Sequence, residues 1–329
     1  MFSVRSLSKL CKFSNSLKKQ SRNLAATAAL EYINDNYYNN DYPGNSYMSN
    51  YDYKNDFDDR GSPDIELFDV SMRDGLQTFT NVLSTNKKIL MINQLIYDKD
   101  PEILEIGSIV SQKVLPQFHD SLEIYTWAKF EYPDKEFYLL TPNEKGVKIA
   151  IENEVSNLSF ITSVSDSFQV KNIKKTLDAT KEELDSMYNM ALESEMISNI
   201  KLYISCINEC PIEGLIDSDL IVDEVEEYYN KYPLISNICL SDTCGTLRFQ
   251  NFKRIIDKLS EKVPLTNLSL HLHYSNQEDI ENILLYAYDR GLTKYDVSNL
   301  ENSGGCSVTI ESGKTKGNLS YEDIENINF

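Results

Sequence analysis

The sequence predicts an α/β protein with a (β/α)8 barrel, the TIM-barrel fold, on three observations. Eight short β-branched or apolar runs follow one another from residue 65 to residue 298. Segments with the 3.6-residue period of amphipathic helices separate them. Polar side chains cluster at the carboxyl ends of the runs. Strands that alternate with helices form parallel sheets, so an open doubly wound sheet is the competing architecture.

Each predicted strand is a short run whose apolar content suits burial between the lumen and the helical layer of a barrel. Their boundaries are set by turn residues and by the onset of the helical period. The eight strands are IELFDV (65–70), ILEIGSIV (103–110), EFYLLTP (136–142), NLSFITSVS (157–165), KLYISCI (201–207), NICLSD (237–242), LSLHLHY (268–274) and KYDVS (294–298).

The predicted helices are charged on one face and apolar on the other. The first, STNKKILMINQLIYDK, begins with Ser84 and Thr85, either of which can cap its first turn. TKEELDSMYNMALESEM and DSDLIVDEVEEYYNKY have the same pattern. A helix after each strand is the connection that a parallel barrel requires.

Composition narrows the classes of function. The chain has 329 residues, 41% of them hydrophobic and 25% charged, as expected of a globular protein with a substantial core. The net charge of −19 argues against nucleic acid, which needs clustered Lys and Arg. No run of 18 apolar residues occurs, so no membrane partner is expected. The six cysteines are scattered, which indicates reduced thiols.

The first 62 residues differ from the rest of the chain. Residues 1–30 carry six Lys or Arg side chains, many serines and no acid, which is typical of a mitochondrial transit peptide. A disordered basic tail is the alternative. Residues 31–62 are rich in Asn, Tyr and Asp and are predicted to be a flexible linker. We therefore expect a barrel domain at 63–329, located in the mitochondrial matrix, or in the cytoplasm if residues 1–30 are not a transit peptide.

Two of the three histidines, His271 and His273, lie one residue apart in the seventh predicted strand. Alternate side chains of a strand share a face, so both imidazoles are predicted to face the lumen while Leu270 and Leu272 face the helices. Imidazoles about 7 Å apart along a strand can bind one cation. The alternative is a pair of hydrogen-bonded core histidines.

Further polar residues follow the other strands. Arg73 and Asp74 offer a carboxylate beside a fixed cation at the end of the first strand, although Asp-Gly is more often a turn. Gly304 and Gly305 let the backbone present Cys306, although a free cysteine is commonly a small buried apolar residue. The remaining polar residues at strand ends are Glu105, Ser108, Thr141, Ser163, Ser165, Ser205, Cys206, Asp242 and Thr243.

Eight motifs, in this order, make the sequence from residue 65 onward resemble the 3-hydroxy-3-methylglutaryl-CoA lyase family. They are RDGLQ, LTPNEKG, SVSDSFQVKNI, YISCINECPIEG, LSDTCG, HLH, GGC and GNLSYED. Leu76 and the GGC loop distinguish the chain from related condensing enzymes, which usually have Glu in place of that leucine and lack the cysteine. The resemblance implies a metal-dependent lyase with a TIM barrel.

The resemblance implies a divalent metal, Mg²⁺ or Mn²⁺, bound by Asp74, His271, His273 and Asn318. One carboxylate, two imidazoles and an amide oxygen suit an octahedral site for these ions. The implied reaction is the retro-Claisen cleavage of 3-hydroxy-3-methylglutaryl-CoA to acetyl-CoA and acetoacetate, a step of leucine breakdown and ketone-body formation.

The resemblance also implies roles for individual residues. Arg73 would stabilise the developing enolate oxygen, Cys306 would protonate the enolate carbon, and Asp74 could be the base for the tertiary hydroxyl. Glu105 and Asp242 are the alternative bases. The implied substrate-binding residues are Arg73, Gln77, Ser108, Lys171, Asn172 and Ser205, with Lys171 and Asn172 near the CoA moiety.

The sequence departs from the family pattern at several positions. Tyr274 replaces the Asp after the second histidine, Ser241 replaces the first Gly of LGDTIG, and Thr80 replaces a Lys. The loop after the GGC motif is longer. The chain reaches Phe329 within the expected eighth helix. We therefore expect a truncated eighth helix, no C-terminal extension, and apolar surface on strands one and eight that this helix leaves exposed. Either the N-terminal segment or another subunit would cover that surface, or the protein would be weakly stable.

Three functional hypotheses follow. The first is a working acyl-CoA lyase, favoured because all implied metal and catalytic residues are retained. The second is a related barrel lyase or aldolase that acts on another 3-hydroxyacyl substrate. The third is a catalytically inactive scaffold, suggested by the truncation and the altered loops. The expected partner is a small acyl-CoA, with a homodimer left open.

Overall fold

The strands form a barrel in a computed structural model, which describes residues 64–300, 303–313 and 316–329. The predictions made for residues 1–62 lie outside this part of the chain. The strands of the described residues, numbered in chain order, are β1 (Glu66–Asp69), β2 (Ile103–Ser108), β3 (Glu136–Leu140), β4 (Asn157–Ser163), β5 (Asn199–Ser205), β6 (Glu209–Cys210), β7 (Gly214–Leu215), β8 (Ile235–Ser241), β9 (Leu268–His271) and β10 (Lys294–Val297).

Helices connect the barrel strands. None of those in the described residues is long and apolar enough to cross a bilayer. The α-helices are α1 (Thr85–Lys99), α2 (Ser121–Glu131), α3 (Glu144–Glu152), α4 (Asp166–Ile173), α5 (Leu177–Ser194), α6 (Ser218–Lys231), α7 (Phe249–Leu259), α8 (Gln277–Asp289), α9 (Ser307–Ser312) and α10 (Tyr321–Glu325). Shorter turns are the π-helical Ser71–Gly75 and the 3₁₀-helical Pro116–Phe118 and Leu265–Asn267.

The barrel is closed, which confirms the predicted (β/α)8 fold over the open sheet. Eight parallel strands pair in the order β1-β10-β9-β8-β5-β4-β3-β2. Closure is made by β1, which pairs with β10 through Leu67 and Tyr295 and with β2 through Phe68 and Ile103. The remaining strands, β6 and β7, form a separate antiparallel pair. Because parallel strands run the same way, all their carboxyl ends meet at one face.

All eight predicted strands are confirmed, although each ends one to three residues earlier than predicted, and β9 is shortened the most. Strand β9 stops at His271 rather than at residue 274. Beyond it, His273 forms an isolated bridge with Asn318, and the Leu319 amide donates to the Leu272 carbonyl at 3.1 Å. The backbone amides and carbonyls after β9 are therefore satisfied by the segment before α10 instead of by the sheet.

Polar caps fix where the helices begin. Ser84 accepts a hydrogen bond from the Lys87 amide at 3.3 Å, which confirms the predicted cap of α1. Asn143 accepts from the Gly146 amide at 2.9 Å at the start of α3. These side chains satisfy amides that a helix N-terminus leaves unpaired, and they hold the connecting helices at the carboxyl-end face of the barrel.

The helices that follow the eighth barrel strand are short: α9 has six residues and α10 has five. The predicted exposure of strand eight is nevertheless wrong: Tyr295 and Val297 are fully buried. Phe329 covers this strand, with its ring stacked on Tyr295 at a centroid distance of 6.2 Å. Leu67 of strand one is only partly buried.

A buried ion pair joins α1 to α2. The Lys88 ammonium lies 2.6 Å from Asp120 Oδ1, and both side chains are 2% exposed. The same ammonium donates to the Gln117 carbonyl. Two buried charges of this kind are tolerated only while both partners are present.

We expect Asp120→Asn to lower the free energy of unfolding by about 3–5 kcal/mol, because Lys88 would stay buried without its counter-ion. Urea denaturation followed by circular dichroism measures the loss. Asp100→Asn is the matched control, since Asp100 pairs with Lys135 at 2.6 Å while 84% exposed, and it should cost less than about 1 kcal/mol. Equal losses of unfolding free energy in the two variants would show that the buried Lys88–Asp120 pair is no more important to stability than an exposed pair.

Candidate metal and substrate site

The turn after β1 brings a charged pair to the carboxyl-end face of the barrel. The chain makes one π-helical turn over Ser71–Gly75, and Arg73 and Asp74 are each 6% exposed. Arg73 Nη1 donates to Asp74 Oδ1 at 2.6 Å, and Arg73 Nε donates to Glu105. The Arg-Asp sequence therefore forms a buried, hydrogen-bonded pair rather than a surface turn.

Asp74, His271 and His273 converge on one point. Each offers one ligand atom, and these atoms lie within 4.8 Å of one another. The two imidazole centroids are 5.0 Å apart, and His271 Nε2 lies 3.9 Å from Asp74 Oδ2. All three side chains are buried. The predicted convergence of the histidines is thus present, although His273 lies beyond the end of β9.

Two polar atoms beside this cluster have no hydrogen-bond partner in the described part of the chain: His273 Nδ1 and Asn318 Oδ1. Asn318 donates its amide nitrogen to Asp74 Oδ2 at 3.0 Å, which leaves the amide oxygen as a free acceptor. Buried polar atoms are normally satisfied, and both atom types ligate cations. The side chains therefore fit a divalent metal held by a carboxylate, two imidazoles and an amide oxygen.

The electrostatics suit a cation. Burial alone would raise the pKa of Asp74, but the Arg73 guanidinium, with smaller contributions from the two neighbouring imidazoles, lowers it to about 2. Burial, with the charge of His271, lowers the pKa of His273 to about 4. At neutral pH the site presents an ionised carboxylate and a neutral imidazole, which are the protonation states that bind metals.

A cavity beside this cluster collects most of the predicted site residues. Those that line it are Arg73, Asp74, Gln77, Asn172, Ser205, His271, His273 and Cys306. Its remaining wall consists of Ile161, Phe168, Tyr203, Ser241, Thr243 and Gly305.

The loop that carries the cysteine folds over Asp74. The Gly305 amide donates to Asp74 Oδ2 at 3.1 Å, and Cys306 precedes the first residue of α9. Burial raises the pKa of the Cys306 thiol, so the thiol stays protonated at neutral pH. Gly304 has a φ of +113°, and a Cβ there would lie 2.3 Å from Asn318 Oδ1. Only glycine fits this close approach.

The family model described as HMGL-like matches residues 64–306, which is more than half of the chain. The chain belongs to this family. Human mitochondrial hydroxymethylglutaryl-CoA lyase is 28% identical over 260 residues, which cover 79% of this chain and 77% of that protein. The mouse cytoplasmic 3-hydroxy-3-methylglutaryl-CoA lyase is 27% identical over 260 residues, or 79% and 73% of the two chains.

A solved structure shows the same fold. An HMG-CoA lyase from Acinetobacter baumannii, in complex with coenzyme A and 3-methylmalate, matches with a TM-score of 0.70 at 29% identity, over 80% of this chain and 82% of that chain. The resemblance seen in the motifs is confirmed, and the protein is a carbon–carbon lyase of the HMGL-like family. Its relatives include mitochondrial and cytoplasmic proteins.

The two alternative bases do not line the cavity of this family member. Glu105 is fully buried behind Arg73 and accepts a hydrogen bond from the Tyr203 hydroxyl at 3.1 Å. Asp242 accepts from the Leu247 amide at 3.0 Å, and burial raises its pKa to about 6. Glu105 thus supports the guanidinium, while Asp242 fixes the loop after β8.

Two predicted substrate-binding residues also lie outside the cavity wall. Ser108 donates its hydroxyl to the Leu140 carbonyl at 3.0 Å, which satisfies it within the barrel. Lys171 is exposed on α4 and pairs with Glu311 of α9 at 2.8 Å. The neighbouring Asn172 does line the cavity, so α4 presents one residue to the cavity and one to the rim.

Two polar residues of the site, Tyr203 and Asp296, were not predicted from the sequence. Tyr203 lines the cavity, and the Arg73 guanidinium lies 4.9 Å from its ring centroid. Asp296 accepts a hydrogen bond from His271 Nδ1 at 3.1 Å. Both had a visible signal: Tyr203 shares a strand face with Ser205, and Asp296 is an acidic residue inside an apolar strand, where a partner is required.

We expect a divalent cation held at this site to raise the melting temperature, and we expect Gly304→Ala to abolish most of that rise, because the new Cβ would displace the Asn318 amide from Asp74. Differential scanning fluorimetry with and without Mn²⁺ measures this. Gly313→Ala is the matched control: Gly313 also has a positive φ, +70°, but open space surrounds its Cβ position. If Mn²⁺ raised the melting temperature of Gly304→Ala as much as that of the unmodified protein, the close packing of Gly304 against Asn318 would be contradicted.

Proposed function

We propose that the protein cleaves 3-hydroxy-3-methylglutaryl-CoA to acetyl-CoA and acetoacetate in a metal-dependent retro-Claisen reaction. The observation that carries this proposal is the convergence of Asp74, His271 and His273 beside Arg73 and Cys306 in one cavity. The likeness to hydroxymethylglutaryl-CoA lyases along most of the barrel supports the substrate class. This reaction would belong to leucine breakdown and ketone-body formation.

Asp74, His271, His273 and Asn318 would hold Mg²⁺ or Mn²⁺. Their oxygen and imidazole ligands suit these ions, which leave further positions for substrate oxygens. When bound, the ion acts as a Lewis acid that acidifies the tertiary hydroxyl and orients the substrate.

Asp74 is our first choice for the base that takes the hydroxyl proton, because its carboxylate lines the cavity. Its pKa of about 2 makes it a weak base, so the transfer requires a hydroxyl that is already acidified. Asp242, with a pKa of about 6, would be the stronger base, but it does not line the cavity. Glu105 is held by Arg73 and Tyr203.

Arg73 and Cys306 would complete the reaction. As the C2–C3 bond breaks, negative charge develops on the thioester oxygen of the acetyl-CoA fragment, and a preorganised guanidinium stabilises such charge. Glu105 and Tyr203 hold Arg73 in place before substrate binds. The protonated Cys306 thiol would then give its proton to the enolate carbon.

The cavity and its rim provide the remaining substrate contacts. Gln77 and Ser205 line the cavity and can donate hydrogen bonds to the acyl group. Asn172 lies where α4 meets the cavity, and Lys171 beside it on the rim would face the CoA moiety. The lyase from Acinetobacter baumannii is bound to coenzyme A, which supports an acyl-CoA substrate. Ser108 does not line the cavity, so it would affect substrate binding only indirectly, through the barrel wall.

A second candidate is cleavage of a different 3-hydroxyacyl-CoA. One observation favours it: Ser241 lines the cavity with a hydroxyl that has no partner among the described residues. The family pattern has glycine there. An unpartnered hydroxyl in the wall of the cavity would favour a substrate with an additional polar group.

We further propose that residues 1–30 are a mitochondrial transit peptide, that 31–62 are a linker, and that the lyase domain at 63–329 works in the matrix. The basic, acid-free composition of residues 1–30 supports this location. Cell fractionation that finds the full chain in the cytoplasm would refute it. Sedimentation of the purified protein would establish whether it forms a homodimer.

We expect the purified chain with Mg²⁺ or Mn²⁺ to release acetoacetate from 3-hydroxy-3-methylglutaryl-CoA. Cys306→Ala should lower kcat by about 10²- to 10⁴-fold, because the proton donor is lost, and a chelator should abolish activity. The measurement is a coupled acetoacetate assay. Cys244→Ser, at a buried cysteine outside the cavity, is the matched control and should retain activity.

The outcomes separate the hypotheses. Folded, metal-binding protein that leaves this substrate intact would point to another 3-hydroxyacyl-CoA, and a panel of such thioesters would identify it. Protein that neither binds metal nor cleaves any of them would refute the lyase proposal and favour the scaffold hypothesis.

A further inference from the structure

A buried ion pair lies in the barrel lumen behind His271. Lys201 of β5 donates to Asp296 of β10, and their side chains are 1% and 0% exposed. The Lys201 ammonium also lies 3.5 Å from the centroid of the Phe68 ring. Neither charged residue lines the cavity. Buried charges cost stability unless well paired, so this pair needs a reason other than contact with substrate.

The two ring nitrogens of His271 face two different carboxylates. Nδ1 lies 3.1 Å from Asp296 Oδ2, while Nε2 lies 3.9 Å from Asp74 Oδ2. A metal-binding imidazole carries one proton, on the nitrogen that does not bind the metal. With Asp296 accepting at Nδ1, the proton stays there, and the lone pair of Nε2 points toward Asp74.

We propose that Asp296 is a positioning residue that fixes the tautomer and ring orientation of His271, and that Lys201 holds Asp296 in place. The proposal rests on the metal site proposed above. It explains why a lysine and an aspartate are buried inside the barrel, where apolar side chains would fill the same space at lower cost.

Of the two histidines, only His271 is oriented by Asp296. The backbone of His273 bridges to that of Asn318, and its Nδ1 has no partner among the described residues. Its orientation therefore depends on the segment that bridges to it, not on the lumen. Loss of Asp296 should change His271 and leave His273 in place.

Nitrogen NMR of the metal-free, full-length protein, labelled at histidine, measures the tautomers directly. The chain has three histidines, so replacing each in turn assigns the signals. We expect the Nδ1–H tautomer at His271, and a mixture of tautomers in Asp296→Asn, because an amide donates as well as accepts. The His273 signals should not change. An Nε2–H tautomer at His271 of the unmodified protein would overturn the proposal.

Titration with Mn²⁺, followed by electron paramagnetic resonance, gives the second readout. We expect Asp296→Asn to weaken Mn²⁺ binding about 10- to 100-fold. Asp120→Asn is the matched control, because it strips the equally buried Lys88 of its carboxylate outside the site, and it should leave the affinity unchanged. Asp296→Asn alone leaves the Lys201 ammonium buried without a counter-ion, and the double variant Lys201→Met, Asp296→Asn removes that ammonium. The double variant should fold but should still bind Mn²⁺ weakly.

Wild-type affinity in folded Asp296→Asn, or in the double variant, would overturn the positioning role. Equal weakening by Asp120→Asn would also overturn it, since the effect would then be general destabilisation. If His271 shows the expected tautomer but the unmodified protein does not bind Mn²⁺, the proposed metal-dependent function fails while the role of Asp296 stands.

Discussion

The buried carboxylate of Asp74 is the group on which the rest of the site depends. Arg73, the Asn318 amide and the Gly305 amide donate to it from three directions. An ionised carboxylate without such donors would cost several kcal/mol at this depth. Because two of these donors come from the segments before and after α9, satisfying Asp74 also folds those segments over the carboxyl-end face of the barrel and brings Cys306 to the cavity.

Paired polar side chains continue below the cavity, inside the lumen of the barrel. Arg73 is held by Glu105, and His271 by Asp296, which in turn is held by Lys201. Each of these side chains has a partner of opposite charge or a hydrogen-bond acceptor on another strand. An apolar lumen would stabilise the barrel at least as well. We therefore infer that the polar side chains in the lumen fix the orientation of Arg73 and His271, at some cost in the stability of the barrel.

The strands and the position of the site were predictable from the sequence for physical reasons. Strands buried on both faces appear as apolar runs, and parallel strands collect their terminal polar residues at one face. The early end of β9 was not predictable, because His273 continues the alternation while its backbone partner is Asn318. Residue type also shows that a carboxylate is present at Glu105 or Asp242, but not that other donors already occupy it.

The most direct test of the proposed metal centre is anomalous diffraction from crystals of the protein soaked in Mn²⁺. We expect one strong peak bounded by Asp74, His271 Nε2 and His273 Nδ1, with the Asn318 amide oxygen beside it. A peak at that point would establish that the four side chains form a metal centre. If the four side chains keep these positions and no peak lies between them, the proposed metal centre is refuted.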